Sequence, residues 1–189
     1  LHVGMDEVRH GIAVLEAVIR TAQAARADLL VLVGDVFDHN RVNAGILRGA
    51  TDALLGAGMP TVILPGNHDS LVETSVYRRG DFANTQGVHV IGLTTEDRVT
   101  FPELGIEVWG RAHFDLWDMT PLRDPPPRTQ RWQIAAAHGH WVTGPHDLHR
   151  AYLIHDADLR ASGADYVALG HWDRWTLAGD GSVVAYYSG

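Results

Sequence analysis

The chain has 189 residues, 46% hydrophobic and 20% charged, the profile of a globular domain with its own core rather than of a disordered or membrane-spanning chain. Cys is absent and all 15 basic residues are Arg, which excludes disulfide scaffolds, thiolate chemistry, Cys-bound zinc, lysine Schiff bases and the lysine of a Walker-type phosphate loop. Against 23 acidic residues and 12 His the net charge is −8, so composition specifies no extended basic surface for nucleic acid and leaves imidazole and carboxylate, a vocabulary suited to hard or borderline metal ions.

From Met5 to Ala27 the apolar residues Val8, Ile12, Leu15, Ile19 and Ala22 recur at steps of three and four, the stripe of an amphipathic helix. Leu29 to Val33 is short and continuously apolar, as expected of a strand buried on both faces, and stops at Gly34-Asp35. The arrangement repeats with a helix over roughly 43–56, a Gly58-Met59-Pro60 break, and the strand Thr61 to Leu64 ending at Pro65-Gly66-Asn67-His68. Helix then buried strand, twice, predicts crossover helices on a sheet. Val88–Ile91, Arg98–Phe101 and Ile106–Gly110 read as short strands of a second, meandering sheet. Pro121, Pro125, Pro126 and Pro127 place a long surface loop over 111–131. Trp132 to Ala137 is another buried strand, stopping at His138-Gly139-His140; a helix over about 156–162 then leads to the strand Tyr166 to Leu169, which stops at Gly170-His171. The chain opens on Leu1 and closes on the strand-like run Val183 to Gly189, which reads as a single domain, 1–189, cut at both ends.

Polar groups terminate four of the predicted strands: Asp35, Asn67-His68-Asp69, His138 and His171. In sheets with crossovers, ligands sit at the carboxyl ends of the strands, so these residues are expected to converge. Singly, each has an ordinary reading: Asp35 caps a turn, Asn67 adopts a left-handed backbone, a strand-end His is structural. Jointly they make the donor set of a metal site.

His2 within Leu-His-Val-Gly, Gly34-Asp35-Val36-Phe37-Asp38, Gly66-Asn67-His68-Asp69, His138 and Gly170-His171-Trp172-Asp173 follow the order of the motif series of the calcineurin-like metallophosphoesterases, which the chain resembles over nearly its whole length. The opening motif, and Gly-Asp-Val-Phe-Asp followed by Arg41, are most similar to the DNA repair exonucleases of the Mre11/SbcD type. The resemblance implies a four-layer α/β/β/α sandwich and a metal-dependent phosphoester hydrolase, with a phosphodiesterase or DNA exonuclease as the preferred subtype. It implies two divalent ions, Mn²⁺ first with Mg²⁺, Fe or Zn as alternatives, bridged by Asp35 and a hydroxide: His2 and Asp35 on one ion, and Asp35, Asn67, His138 and His171 on the other. In that scheme His68 protonates the leaving group or hydrogen-bonds a phosphoryl oxygen, with Asp69 fixing its tautomer. The resemblance further implies a cytoplasmic protein with no membrane partner, and, for a nuclease-like member, a homodimer or an ATPase partner subunit.

Two departures qualify the match. The family's first motif is Asp-x-His, whose Asp would precede Leu1, and its last is Gly-His-x-His, where Asp173 stands in the final position. Asp173 is expected either as a substitute ligand favouring harder ions or as an acceptor behind the ligands. Arg41 and Arg174 suit a substrate phosphate, which guanidinium binds bidentately, and equally suit a neighbouring carboxylate. His140, two residues beyond His138, is a candidate substrate contact on the same strand face. Asp38 is expected to support its loop, and His146, His149 and His155 to be solvated. Convergence of Arg41, Arg78, Arg79 and Arg174 would favour DNA. Two rival readings stand beside the hydrolase: a non-catalytic binding module with a degenerate metal site, and a phosphomonoesterase or small cyclic-diester hydrolase.

Overall fold

The computed structural model describes residues 5–189. Helix α1 (Met5–Ala24) turns Ile12, Leu15, Ile19 and Ala22 inward, while Val14 and Val18, off that stripe, remain exposed. Strands β1 (Leu30–Val33) and β2 (Thr61–Leu64) pair in parallel and are joined by α2 (Ala44–Leu55), whose first turn is capped by the Asn43 side chain accepting from the N–H groups of Gly45 and Ile46. A short helix α3 (Val76–Arg79) and a 3₁₀ turn lead to β3 (Val88–Val90), which pairs in parallel with β2. The sequence pattern groups this run with the second sheet; the structure places it in the first. The connection from β2 contains helical turns too short to show an apolar period, so the crossover they make is invisible to patterning.

The remaining strands are β4 (Arg98–Phe101), β5 (Ile106–Gly110), β6 (Trp132–His138), the small parallel pair β7 (His140–Trp141) and β8 (Leu153–Ile154), then, after α4 (Asp156–Ala161), β9 (Tyr166–Gly170), β10 (Trp175–Ala178) and β11 (Val184–Ser188). Six of them form a mixed sheet in the order β10-β11-β9-β6-β5-β4, parallel from β5 to β11 and antiparallel at the β4 and β10 edges.

One core joins the helices α1 and α2, the three-stranded sheet and one face of the mixed sheet, where Val108 and Ala136 meet the β1 and β2 side chains. Val62, Ile63 and Leu64 are fully buried there, each side chain contributing about 1.5–3 kcal/mol relative to exposure. A second core lies on the opposite face of the mixed sheet, where Trp109, Ala137, Leu169 and Tyr187 pack under Leu122, Ile154 and Leu159 of α4. The layer order is helix, sheet, sheet, and a thinner cover of α4 and connecting loops, the expected sandwich. Among the described residues no helix is long and apolar enough to cross a membrane.

Candidate metal centre

Asp35, Asn67, His138 and His171 stand at or just beyond the carboxyl ends of β1, β2, β6 and β9, and the packing of the two sheets brings them together. One ligand atom each from Asp35, His138 and His171 lies within 4.8 Å of the others, the one such group of His and acidic side chains among the described residues. His138 Nε2 is 3.1 Å from Asp35 Oδ2 and 3.0 Å from Asn67 Oδ1, and its ring centroid is 5.3 Å from that of His171.

The chemistry of this donor set can be read from hydrogen bonds. His138 is wholly buried, and its Nδ1 is 2.9 Å from the Val33 carbonyl, which only accepts; Nδ1 therefore carries the proton. In the neutral ring Nε2 is then a lone pair, aimed at a carboxylate oxygen and at the Asn67 oxygen. Three acceptors held together repel one another until a cation stands among them, a proton on Nε2 that bonds it to Asp35 or a metal ion in its place. Imidazole nitrogen with hard oxygens suits a divalent metal, and the Nδ1–H bond to a backbone carbonyl is the usual way a metal-binding His is oriented.

The backbone is shaped for this convergence. Asp35 has φ +53° and His171 φ +103°, conformations in which a side-chain-bearing residue costs about 1–3 kcal/mol. A Cβ at Gly66 would overlap the Asp35 carboxylate and the His138 ring, and one at Gly170 would overlap the Val33 carbonyl. Glycine thus precedes Asn67 and His171 because the loop backbones close directly onto β1 and His138.

Beneath the ligands lies Asp69, fully buried. Its carboxylate accepts from the N–H groups of Gly66 at 2.7 Å, Asp35 at 3.2 Å and Phe37 at 3.2 Å, and from the Tyr77 hydroxyl at 2.6 Å. It thereby ties the loop carrying Asp35 to the loop carrying Asn67. Burial raises its carboxyl above the usual range, and the bonds from Tyr77, Gly66 and Phe37 offset this only in part. The expected pairing of Asp69 with His68 is corrected: His68 Nδ1–H donates to the Asp38 carbonyl at 2.9 Å, with the Asp38 carboxylate at 3.4 Å. Asp69 points into the core between the loops, so the fixing of His68 falls to Asp38, the residue expected to support its loop.

Electrostatics distinguish the members of the cluster. Burial pushes the Asp35 carboxyl up, but the bond to His138 and the His68 N–H, which donates at 3.0 Å, outweigh it and hold the group below the usual carboxylate range. The His171 ring, desolvated against the histidine cluster and repelled by His138, is pushed down to about 4, so it is neutral and able to ligate at neutral pH. His68 is raised, first by the Asp38 carbonyl.

Other expected residues stand differently. His2 lies outside the described residues. Asp173 is exposed and outside the group in which the ligand atoms meet, in the turn that the backbone of His171 starts between β9 and β10. His140, expected to contact substrate, has both ring nitrogens engaged: Nε2–H donates to Asp147 at 3.1 Å and Nδ1 accepts from Trp172 Nε1–H at 3.1 Å. Trp172 in turn stacks on Tyr187 at 4.7 Å, and the Arg174 guanidinium lies 5.1 Å from the centre of the same indole, so Arg174 and His140 brace Trp172. Arg41 is exposed. Arg78 and Arg79 donate to backbone carbonyls of Leu71, and of Thr74, Asn40 and Val42, rather than forming an open basic patch. Sequence reasoning missed His113, which is 1% exposed, donates from Nε2 to the His138 carbonyl at 3.0 Å and packs edge-on to the His138 ring. It sits three residues past β5, in a stretch read as surface loop, with no motif to mark it.

A model of the calcineurin-like phosphoesterase family matches residues 1–173. The chain belongs to this family. A search of curated proteins gave no match. Among solved structures, the chain is similar to TT1561 of Thermus thermophilus, with TM-score 0.60 and 15% identity over 93% of this chain and 82% of that one. A second crystal structure matches with TM-score 0.57 and 13% identity, over 91% of this chain and 83% of the other. At such identities the likeness is one of fold, and it agrees with the two-sheet sandwich. Calcineurin-like phosphoesterases are metal-dependent hydrolases of phosphoesters and generally bind two divalent ions. The acceptor-only meeting of Asp35, Asn67 and His138, with neutral His171 beside it, fits such an ion on physical grounds independent of the family.

Proposed function

We propose that the protein hydrolyses phosphodiesters, with one divalent ion held by Asp35, Asn67, His138 and His171 and a second shared through Asp35 with His2, Mn²⁺ being the first candidate. The observation that carries this reading is the His138 Nε2 lone pair aimed at the oxygens of Asp35 and Asn67. When bound, a divalent ion neutralises phosphoryl charge and lowers the pKa of a coordinated water. The protein's own part is positional. Asp35 stays ionised, Asp69 fixes the spacing of the two ligand-bearing loops, and the Val33 carbonyl holds the His138 ring in one orientation. His68, anchored at Nδ1, has an Nε2 with no hydrogen bond among the described residues, so it is the group available to donate to a phosphoryl or leaving-group oxygen. A diester is favoured over a dianionic monoester or long DNA because Arg78, Arg79 and Arg174 are committed elsewhere and the net charge is −8.

The test is hydrolysis of bis(p-nitrophenyl) phosphate with added Mn²⁺, which Asp35→Ala should abolish. Equal activity in that variant refutes the mechanism. The exposed position of Asp173 favours a second reading, a binding module with one ion or none; elemental analysis showing at most one ion per chain, with no turnover, would establish it.

A further inference from the structure

We propose that the cleft beside the metal centre is a base-binding subsite, taking the planar, amino-bearing heteroaromatic group of a nucleoside phosphodiester whose phosphate lies at Asp35 and His138. The inference rests on the hydrolase reading above and names its substrate class. The cleft has a volume of about 910 Å³, within the ~300–1,000 Å³ typical of ligand pockets, and opens between residues 92–97, which follow β3, and residues 110–123, which begin at the last residue of β5. In the strand orders β1-β2-β3 and β9-β6-β5, β3 and β5 lie one position beyond β2 and β6. Since these strands run parallel, the cleft sits on the same carboxyl edge as Asn67 and His138. His113 joins the two places, lining the cleft while its Nε2–H donates to the His138 carbonyl.

Three observations identify the occupant. First, the 111–123 segment holds aromatic surface out in water: Trp117 is 80% exposed and Phe114 54%. The loop is nonetheless pinned, since the Trp117 N–H donates to Asp115 Oδ1 at 2.8 Å, the Tyr152 N–H to Asp118 Oδ1 at 2.7 Å, and the Tyr152 hydroxyl to the Leu116 carbonyl at 3.3 Å. An exposed indole carried on a pinned loop at a cleft mouth is a platform for stacking a planar ring. Second, two buried polar atoms of residues lining the cleft, His113 Nδ1 and Thr95 Oγ1, have no hydrogen-bond partner. Because His113 donates from Nε2, its Nδ1 is a bare acceptor sealed just behind the cleft wall, and such buried groups are rarely left unpaired. Third, the charge is wrong for phosphate. Glu96, Asp97, Asp115 and Asp118 line the cleft against Arg111 and Arg123, and Arg111 is paired with Asp97 at 2.7 Å. Excess carboxylate accepts from amino groups and leaves the phosphate to the metal centre.

Adenosine, which has an amino group and no phosphate, is the probe. Titrated into the full chain and followed by ligand-observed NMR, it should bind saturably and more tightly than uridine, which lacks the amino group. Trp117→Ala should weaken adenosine about tenfold, within the range of alanine substitutions at base-stacking aromatics, and Trp117→Phe should restore most of the binding. The same Trp117→Ala variant should lower, about tenfold, the ratio of kcat/KM for a diadenosine monophosphate diester over methyl p-nitrophenyl phosphate. No saturable adenosine binding, binding indifferent to Trp117, or an unmoved kcat/KM ratio overturns the proposal. If neither ester is cleaved, the hydrolase reading has failed, and adenosine binding with its dependence on Trp117 decides the cleft by itself. Trp117 is too exposed for its truncation to unfold the chain, which circular dichroism checks.

Discussion

Tyr77→Phe removes one hydroxyl from a wholly buried ring and leaves the ring's packing in place. Its edge-to-face contacts, at 5.3 Å to Phe82 and 6.0 Å to Phe37, involve only carbon atoms that phenylalanine retains. What is lost is the 2.6 Å hydrogen bond to Asp69 Oδ2, leaving a buried carboxylate with three backbone donors. A hydrogen bond to a charged group is worth about 1.5–3 kcal/mol, so we expect a loss of about 2 kcal/mol. In a chain of 189 residues, at about 2–4 °C per kcal/mol, that lowers Tm by about 4–8 °C. The pH dependence has a definite sign. Burial raises the Asp69 carboxyl, while Tyr77 is the strongest influence pulling it down. An acid raised in the folded state costs stability as pH climbs from its unfolded value near ~3.9 through its folded one, and removing Tyr77 widens that window. The substitution should therefore cost more at pH ~7 than at pH ~4. Urea unfolding at both pH values, in chelator so that metal binding adds nothing, measures this. Unchanged urea midpoints, or a larger cost at the lower pH, would refute the claim that Asp69 clamps the two ligand loops as a buried carboxylate.

Gly170→Ala should destabilise by at least about 1–3 kcal/mol and weaken metal binding, since the added Cβ meets the Val33 backbone carbonyl; calorimetry with and without Mn²⁺ reads both effects. Asp147 is held below the usual carboxylate range by the Thr143 N–H and hydroxyl and by His140, so its stabilisation is present above the unfolded value near ~3.9 and is lost as pH falls towards its folded one. Between pH ~6 and ~3 the wild type should lose more stability in urea than Asp147→Asn, and equal losses would show that Asp147 is not linked to folding. Mn²⁺ at about a hundred times its Kd should stabilise by about 2.7 kcal/mol, raising Tm by roughly 5–10 °C, with Asp35→Ala abolishing the rise.

The strand ends that carry Asp35, Asn67, His138 and His171 were legible because a buried strand is a short apolar run, and the polar residue that stops it is a local signal. The motif order supplied their partnership. The placement of β3 was not legible, because a four-residue helix and a 3₁₀ turn leave no apolar period. Nor were the supports: His113 and Asp147 lie in polar, proline-interrupted stretches that read as solvated loops, and both are buried in the fold. Asp69 was assigned to its sequence neighbour His68, whereas its partners come from the β1 loop, its own loop and Tyr77.

By itself, then, the sequence determined the chemistry available to this protein. With no Cys and no Lys, imidazole and carboxylate remained as the metal-binding vocabulary, and the polar residues that stop the apolar runs placed Asp35, Asn67, His138 and His171 at strand ends. Tertiary structure decided which of these side chains share one volume and which atoms stay free. His138 is an acceptor at Nε2 because Val33, 105 residues away, takes its other proton, and His140 is closed to substrate because Asp147 and Trp172 occupy both nitrogens. The physical reason is that a side chain's type is local, but its protonation, orientation and free lone pairs depend on partners that only the packing of two sheets brings within hydrogen-bonding distance.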